Sequence, residues 1–300
     1  MYQAITANKR KTWLLLLLFI IIISALGYII SLWYGNGSYI FFLGAIIIAL
    51  LLSLSSYYGG DKVALATAGA KQISKQDNAY VYRMVENLCI TAGLPLPKIY
   101  IINDPAINAF ATGRDPKHAS IAITSGAIDQ LANEELEGVI AHELSHIQNY
   151  DIRLMMIVIV CIGLITLVAD WLLRTRLYGL GGHNNNRNNN AGGIILIIGI
   201  ILAILSPLFA KLIQLAISRR REYLADAAGA MLTRYPAGLA NALSKIKQQN
   251  QPLRHANNAT AHLYIASPWA NTKKLFARAL ATHPPIEERI AKLQSFNLEN

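Results

Sequence analysis

The chain has 300 residues, of which 54% are hydrophobic and only 15% charged, and it carries a formal net charge of +10. Soluble domains hold about 25% charged residues, so this composition excludes an ordinary water-soluble protein. Two scattered cysteines, Cys89 and Cys161, exclude a disulfide framework, and the positive charge comes without a basic-aromatic recognition motif, which excludes nucleic acid as a partner.

The apolar residues are concentrated. Trp13 to Trp33 is free of charge and long enough to cross a bilayer. No small-residue cleavage site follows it, so it reads as a retained anchor rather than a signal peptide. Tyr39 to Ser55 is a second span. Lys9, Arg10 and Lys11 precede the first, which places the N-terminus in the cytoplasm, the Tyr34–Ser38 turn outside, and Tyr57 to Asp151 inside again. Ile152 to Leu173 reads as a third span, interrupted by Arg153 and Asp170. Gly193 to Ala210 reads as a fourth, reaching Ile217 if Lys211 snorkels. The Asn-rich loop between them, Arg174 to Gly192, is a low-complexity spacer, and its His183 has no second ligand nearby. The chain then divides into a two-span anchor (1–56), a cytoplasmic segment (57–151), a second membrane hairpin (152–217) and a further cytoplasmic segment (218–300).

Within the first cytoplasmic segment, Val81, Met84, Val85 and Leu88 recur at helical spacing. They predict a helix over Asp77 to Ala92 that stops at Gly93. Lys98 to Ile102 and Ala119 to Thr124 read as strands. Asn133 is the expected cap of the next helix, with Glu134 and Glu135 favourably placed in its first turn. That helix is expected to run straight into the third span at Ile152. A further helix is expected over Arg219 to Leu232.

The helix after Asn133 contains His142, Glu143 and His146 in the string H-E-L-S-H. Positions i and i+4 share one helix face, so the two imidazoles are spaced to hold one Zn²⁺, and the intervening Glu143 is spaced to face the attacking water. A catalytic zinc takes three protein ligands and keeps one position open. The string R-R-R-E-Y-L-A-D offers Glu222 as the third, with Asp226 one turn later to accept the free ring N–H of a ligating histidine. Glu222 also reads as a salt-bridge partner of its neighbouring arginines, Asp226 as a helix-surface acid, and His118, His255 and His262 remain alternative ligands. Glu222 lies on the same side of the membrane as the histidines only if the chain between them crosses an even number of times. With zinc lowering the pKa of water to about 7, Glu143 takes up the water proton and hands it to the leaving amine. Glu134, Glu135 and Glu137 put the start of this helix in water, against an intramembrane active site. The chain has no G-x-x-x-x-G-K-[ST] phosphate loop, so the expected chemistry is ATP-independent.

The chain carries N-A-F-A-T-G, H-E-L-S-H entering a span, R-R-R-E-Y-L-A-D-A-A-G and T-H-P-P-I-E-E-R-I, in that order. Together they resemble the HtpX heat-shock membrane metallopeptidases, relatives of the CAAX prenyl endopeptidases. The resemblance covers most of the chain and leaves out the Asn-rich loop and the terminal tail. It implies a membrane α-helical anchor of about four spans joined to an α+β zincin-type metallopeptidase domain with a small β-sheet. It implies His142, His146 and Glu222 as ligands of one Zn²⁺ and Glu143 as the catalytic base. It also implies that Asn108 and Ala109 contact the substrate backbone, that His283 is a transition-state donor, and that Arg289 supports the site. Under it the strand Ala119–Thr124 is expected to offer an exposed edge for an extended peptide. The implied function is an endopeptidase of the bacterial inner membrane, with both termini and the active site cytoplasmic, that removes misfolded or damaged membrane proteins. Its partners are those substrates and membrane lipid, and homo-oligomerisation is left open. A dedicated processing peptidase and a non-catalytic zinc-bound scaffold are the alternatives.

Overall fold

The computed structural model describes residues 2–34, 38–158, 219–249, 251–254, 260, 262–266 and 284–296. Two helices open the chain, α1 (Tyr2–Tyr34) and α2 (Ile40–Thr67). Both are long and apolar enough to cross a membrane, over Ile5–Ile29 and Ile40–Thr67. They pair along their length. A Cβ at Gly27 would lie 2.9 Å from the Phe41 carbonyl oxygen, so the missing side chain permits the close crossing. Their outer faces carry Leu14, Leu17, Ile21, Leu43, Ile47 and Leu51 exposed. Such a surface is stable against lipid and not against water. The third and fourth predicted spans and the Asn-rich loop lie outside the described residues, apart from 151–158, which are helical.

The helix α2 does not stop where its apolar run stops. It continues through Asp61 and Lys62 to Thr67 and ends before Gly69, whose φ of 65° breaks the helix. Its last turns bury Ala64 and Leu65, which pack with Phe110, Met155 and Tyr264. The second apolar helix is therefore built directly onto the core of the part that follows it.

That part contains a four-stranded mixed sheet: β1 (Ala70–Gln72), β2 (Lys98–Ile102), β3 (Ala109–Gly113) and β4 (Ala119–Thr124), in the order β1-β2-β4-β3. β4 pairs parallel with β2, Ile99 opposite Ile121, and antiparallel with β3, Ala111 opposite Ile121. Both edges of β4 are thus taken, and the expectation that Ala119–Thr124 offers a free edge is corrected. The outer strand on this side is β3. It was hidden in the sequence because all five of its residues are buried, so no in-out alternation marks it.

Helix α3 (Ala79–Ala92) follows the predicted pattern, with Val81, Met84, Val85 and Leu88 buried and Gly93 left-handed at φ 64°. It starts two residues later than expected, and Asn78 caps it by accepting from Val81 N–H. After the short α4 (Ser125–Gln130), helix α5 (Asn133–Gln148) runs through the centre of the core. Its cap is Ala132 rather than Asn133. Glu135 accepts from the Ala132 N–H at 2.7 Å, while Asn133 accepts from Tyr80. α6 (Arg219–Thr233) and α7 (Pro236–Gln249) pack against α5 and each other, and α8 (Ile286–Ser295) packs on both of them.

The expectation that α5 runs straight into the third span is also corrected. It ends at Gln148, Tyr150 adopts a left-handed φ of 60°, and a new helix starts at 151. The break turns Asp151 back toward α5.

Candidate active site

Helix α5 presents His142 and His146 on one face, with their Nε2 atoms 3.2 Å apart and their rings nearly perpendicular. Glu222 reaches them from the first turn of α6. Its Oε1 lies 3.6 Å from His146 Nε2 and its Oε2 lies 3.9 Å from His142 Nε2. A tetrahedral ion with ligand bonds of about 2.0–2.1 Å sets neighbouring donors roughly 3.3 Å apart. One donor atom from each of the three side chains lies within 4.8 Å of the others, near enough to share such an ion. They are buried and form the one group of this kind among the described residues. His118 pairs with Asp115, and the buried His262 faces the Met155 carbonyl; neither joins the group. His255 and His283 lie outside the described residues.

The close approach of α6 has a local cause. A Cβ at Gly229 would sit 3.0 Å from the His142 nitrogen, so glycine lets the helix backbones meet at the first histidine. One turn earlier, on the same face of α6, Asp226 lies beside the same ring. Its Oδ1 is 3.0 Å from His142 Nδ1. His146 has its own carboxylate, with Asp151 Oδ2 2.9 Å from its Nδ1. In both rings Nδ1 faces a carboxylate, which orients Nε2 toward the ligand cluster. Sequence reasoning missed Asp151, because its role depends on the break after Gln148 and it looked like the first polar residue before a span.

Arg289 closes the site from α8 and is fully buried. Its Nε and Nη2 donate to the two Asp226 oxygens at 2.8 and 2.7 Å, its Nη1 donates to the Ile265 carbonyl at 2.7 Å, and Glu222 Oε2 lies 3.9 Å from Nη1. Burial would raise the Asp226 carboxyl, but the Arg289 charge and the His142 contact hold it below the ordinary carboxylate range.

Glu143, between the histidines, is also buried. Burial pushes its carboxyl up to about 8, against the pull of His146, and the Glu222 charge adds to the rise. It accepts from the Ala111 N–H on β3, and its Oε1 has no hydrogen-bond partner among the described residues. Burial lowers His142 below the usual imidazole value. For His146 burial also acts downward, but Asp151 and Glu222 outweigh it and lift the ring to about 9.

The outer edge of β3 faces this cluster, with Ala111 N–H on Glu143. Ala109 C=O on the same edge accepts from Ile265 N–H at 3.0 Å. Asn108 is buried. Its Oδ1 accepts from Ala109 N–H and its Nδ2 donates to the Ala266 carbonyl at 3.3 Å, so its side chain shapes the strand end.

With this geometry in place, relatives become informative. The family model for peptidase family M48 matches residues 75–297. A protease HtpX homolog of Caldanaerobacter subterraneus subsp. tengcongensis is 45% identical over 299 residues, covering 99% of this chain and 98% of that one. One from Streptococcus thermophilus is 40% identical over 305 residues, covering 98% and 99%. The crystal structure of Ste24p from S. mikatae shares the fold, with a TM-score of 0.54 at 18% identity, covering 98% of this chain and 67% of that one. The chain belongs to peptidase family M48, with the HtpX proteases, and is a membrane metallopeptidase.

Proposed function

We propose that the chain is a zinc endopeptidase that cleaves misfolded or damaged membrane proteins at the cytoplasmic face of the bacterial inner membrane, without ATP. The observation that carries the site assignment is Glu143 Oε1, a buried acceptor without a hydrogen-bond partner among the described residues, beside a three-donor cluster whose ligand atoms lie within 4.8 Å of one another. A buried carboxylate oxygen without a partner is costly, and it argues against a purely structural scaffold. In this reading His142, His146 and Glu222 hold the ion. Asp226 and Asp151 orient the two rings, and Arg289 holds Asp226.

Bound zinc would supply positive charge, polarising the scissile carbonyl and bringing the buried Glu143 into its ionised form at neutral pH. Glu143 then takes the proton of the attacking water on Oε1 and passes it to the leaving amine, while the Ala111 N–H holds its carboxylate in place. Beyond the Ala111 N–H, the outer edge of β3 toward Gly113 pairs with an extended substrate backbone. Main-chain pairing of this kind is tolerant of sequence, which suits a quality-control substrate range. His283 immediately precedes the Pro284–Pro285 entry to α8, and the family resemblance supports it as a donor to the transition state.

Loading the metal has an expected proton signature. At about pH 7 the His146 ring, raised to about 9, and the Glu143 carboxyl, raised to about 8, both carry protons in the metal-free protein. Both lose them when zinc binds, so close to two protons leave per ion, falling toward none near pH 10. Calorimetric zinc titrations in buffers of different ionisation enthalpy measure this number. A release under about half a proton at neutral pH contradicts the assignment of these two groups.

The function is tested in proteoliposomes with a destabilised membrane protein bearing cleavable loops on both faces. Cleavage is expected without nucleotide, only in loops on the side of the protein's N-terminus. Chelation abolishes it and zinc restores it. Cuts on the opposite face overturn the orientation, and activity that survives chelation overturns the metal chemistry.

A further inference from the structure

The two oxygens of Asp151 face different parts of the molecule. Oδ2 is 2.9 Å from His146 Nδ1. Oδ1 accepts from Asn8 Nδ2 at 2.6 Å and lies 3.4 Å from Arg221 Nη1. Asn8 belongs to α1, the first membrane helix, in the stretch just before the apolar run. It is only 4% exposed. Its Nδ2 also donates to the Asn149 carbonyl at 3.0 Å.

These contacts fix the amide orientation. Both neighbours, a carboxylate and a carbonyl, are acceptors only, so the amide must turn its nitrogen toward them. One side chain thus binds both Asn149 and Asp151, the residues flanking the left-handed Tyr150 where α5 breaks. The break is what swings Asp151 onto His146. Arg221 supplies charge from further away, while the short Asn8 bond supplies direction.

We infer that Asn8 is a positioning residue of the metal site: a side chain of the membrane anchor that fixes Asp151 and, through it, the His146 ring. The anchor in this view is a structural part of the metal centre as well as a tether. Partners that orient ligating histidines commonly contribute 10–100-fold to metal affinity. Asn8 acts one step further out, so a loss of about tenfold is expected. The inference rests on His146 being a ligand.

The test uses the full chain in detergent micelles, with zinc affinity measured by competition with a chromophoric chelator and with Co²⁺ as a spectroscopic probe. Asn8→Leu keeps the side-chain size and removes the donor. It is expected to bind zinc about tenfold more weakly and to shift the Co²⁺ visible bands, with the metal-free melting temperature changed little. Asn8→Ala repeats the test if leucine disturbs folding. Thr12→Val is the control. Thr12 is fully buried one turn along the same helix, and its hydroxyl has no hydrogen-bond partner among the described residues, so this variant should bind zinc as the wild type does. Wild-type affinity and unshifted bands in both Asn8 variants overturn the inference. So does a loss of affinity that Thr12→Val shares in proportion to its melting temperature. His146→Ala separates the two levels: if it binds zinc normally, the ligand assignment itself is wrong, whereas a loss there beside normal Asn8 variants rejects the positioning role alone.

Discussion

Glu143→Gln is expected to cut kcat for peptide cleavage by about 10²–10⁴-fold, the usual contribution of a general acid–base, while leaving KM and zinc affinity nearly unchanged. The amide has the shape of the carboxylate and its oxygen can still accept from Ala111 N–H. What it lacks is a basic oxygen to take up and return a proton. The substitution therefore removes the chemistry and leaves the architecture. The wild-type carboxyl sits at about 8 in the absence of metal, so the metal-free protein holds it mostly protonated. Activity is expected to follow zinc occupancy steeply as pH falls, because protons and metal compete for the same cluster. Steady-state kinetics on a quenched peptide, with bound zinc quantified in the same samples, check the prediction. A Gln variant retaining more than about a tenth of the wild-type kcat would remove Glu143 from the proton path.

The parts of this site that could be read from the sequence share one property: they are local in the chain. H-E-L-S-H is defined by one helical turn, and Glu222 and Asp226 by another, so spacing alone puts each pair on one face. That the two turns meet is a tertiary fact, permitted by Gly229 against His142. The helix α3 and strands β2 and β4 were legible because they carry a periodic pattern or a bounded apolar run. β3 was not, since a strand buried on both faces has no alternation. With β3 invisible, β4 was mistaken for the edge. Asp151 and Asn8 were opaque for a different reason. One sits after a helix break produced by packing, and the other lies 143 residues away in what reads as a plain membrane anchor. The same helix break explains why α5 does not continue into the expected third span. The break brings Asp151 to His146, and a hydropathy pattern carries no information about it.

Arg289→Met is expected to destabilise the part that follows the two apolar helices by about 3–5 kcal/mol, the typical result of removing one partner from a buried ion pair. Methionine fills most of the volume and leaves Asp226 buried without its bidentate partner. Arg289→Lys should rescue little, since one ammonium cannot reproduce two parallel N–H···O bonds to Asp226 and a third to the Ile265 carbonyl. Neutralising the stranded acid should help. In a double-mutant cycle, Asp226→Asn with Arg289→Met is expected to be more stable than Arg289→Met alone, because the uncompensated charge is gone. The pH dependence gives a further check. In the wild type Arg289 holds the Asp226 carboxyl below its ordinary value. The stabilisation from this pair is therefore present above the unfolded-state pKa and is lost only as pH falls through the lower folded-state value. In Arg289→Met the same buried carboxyl moves upward and takes a proton in the neutral to mildly acid range. The stability gap between variant and wild type should then narrow from about pH 8 to pH 5. Denaturation of the zinc-free proteins in one detergent, measured across that range, decides the matter. A gap that stays constant, or a double variant no more stable than Arg289→Met, would mean that Arg289 acts through packing and not by compensating the charge of Asp226.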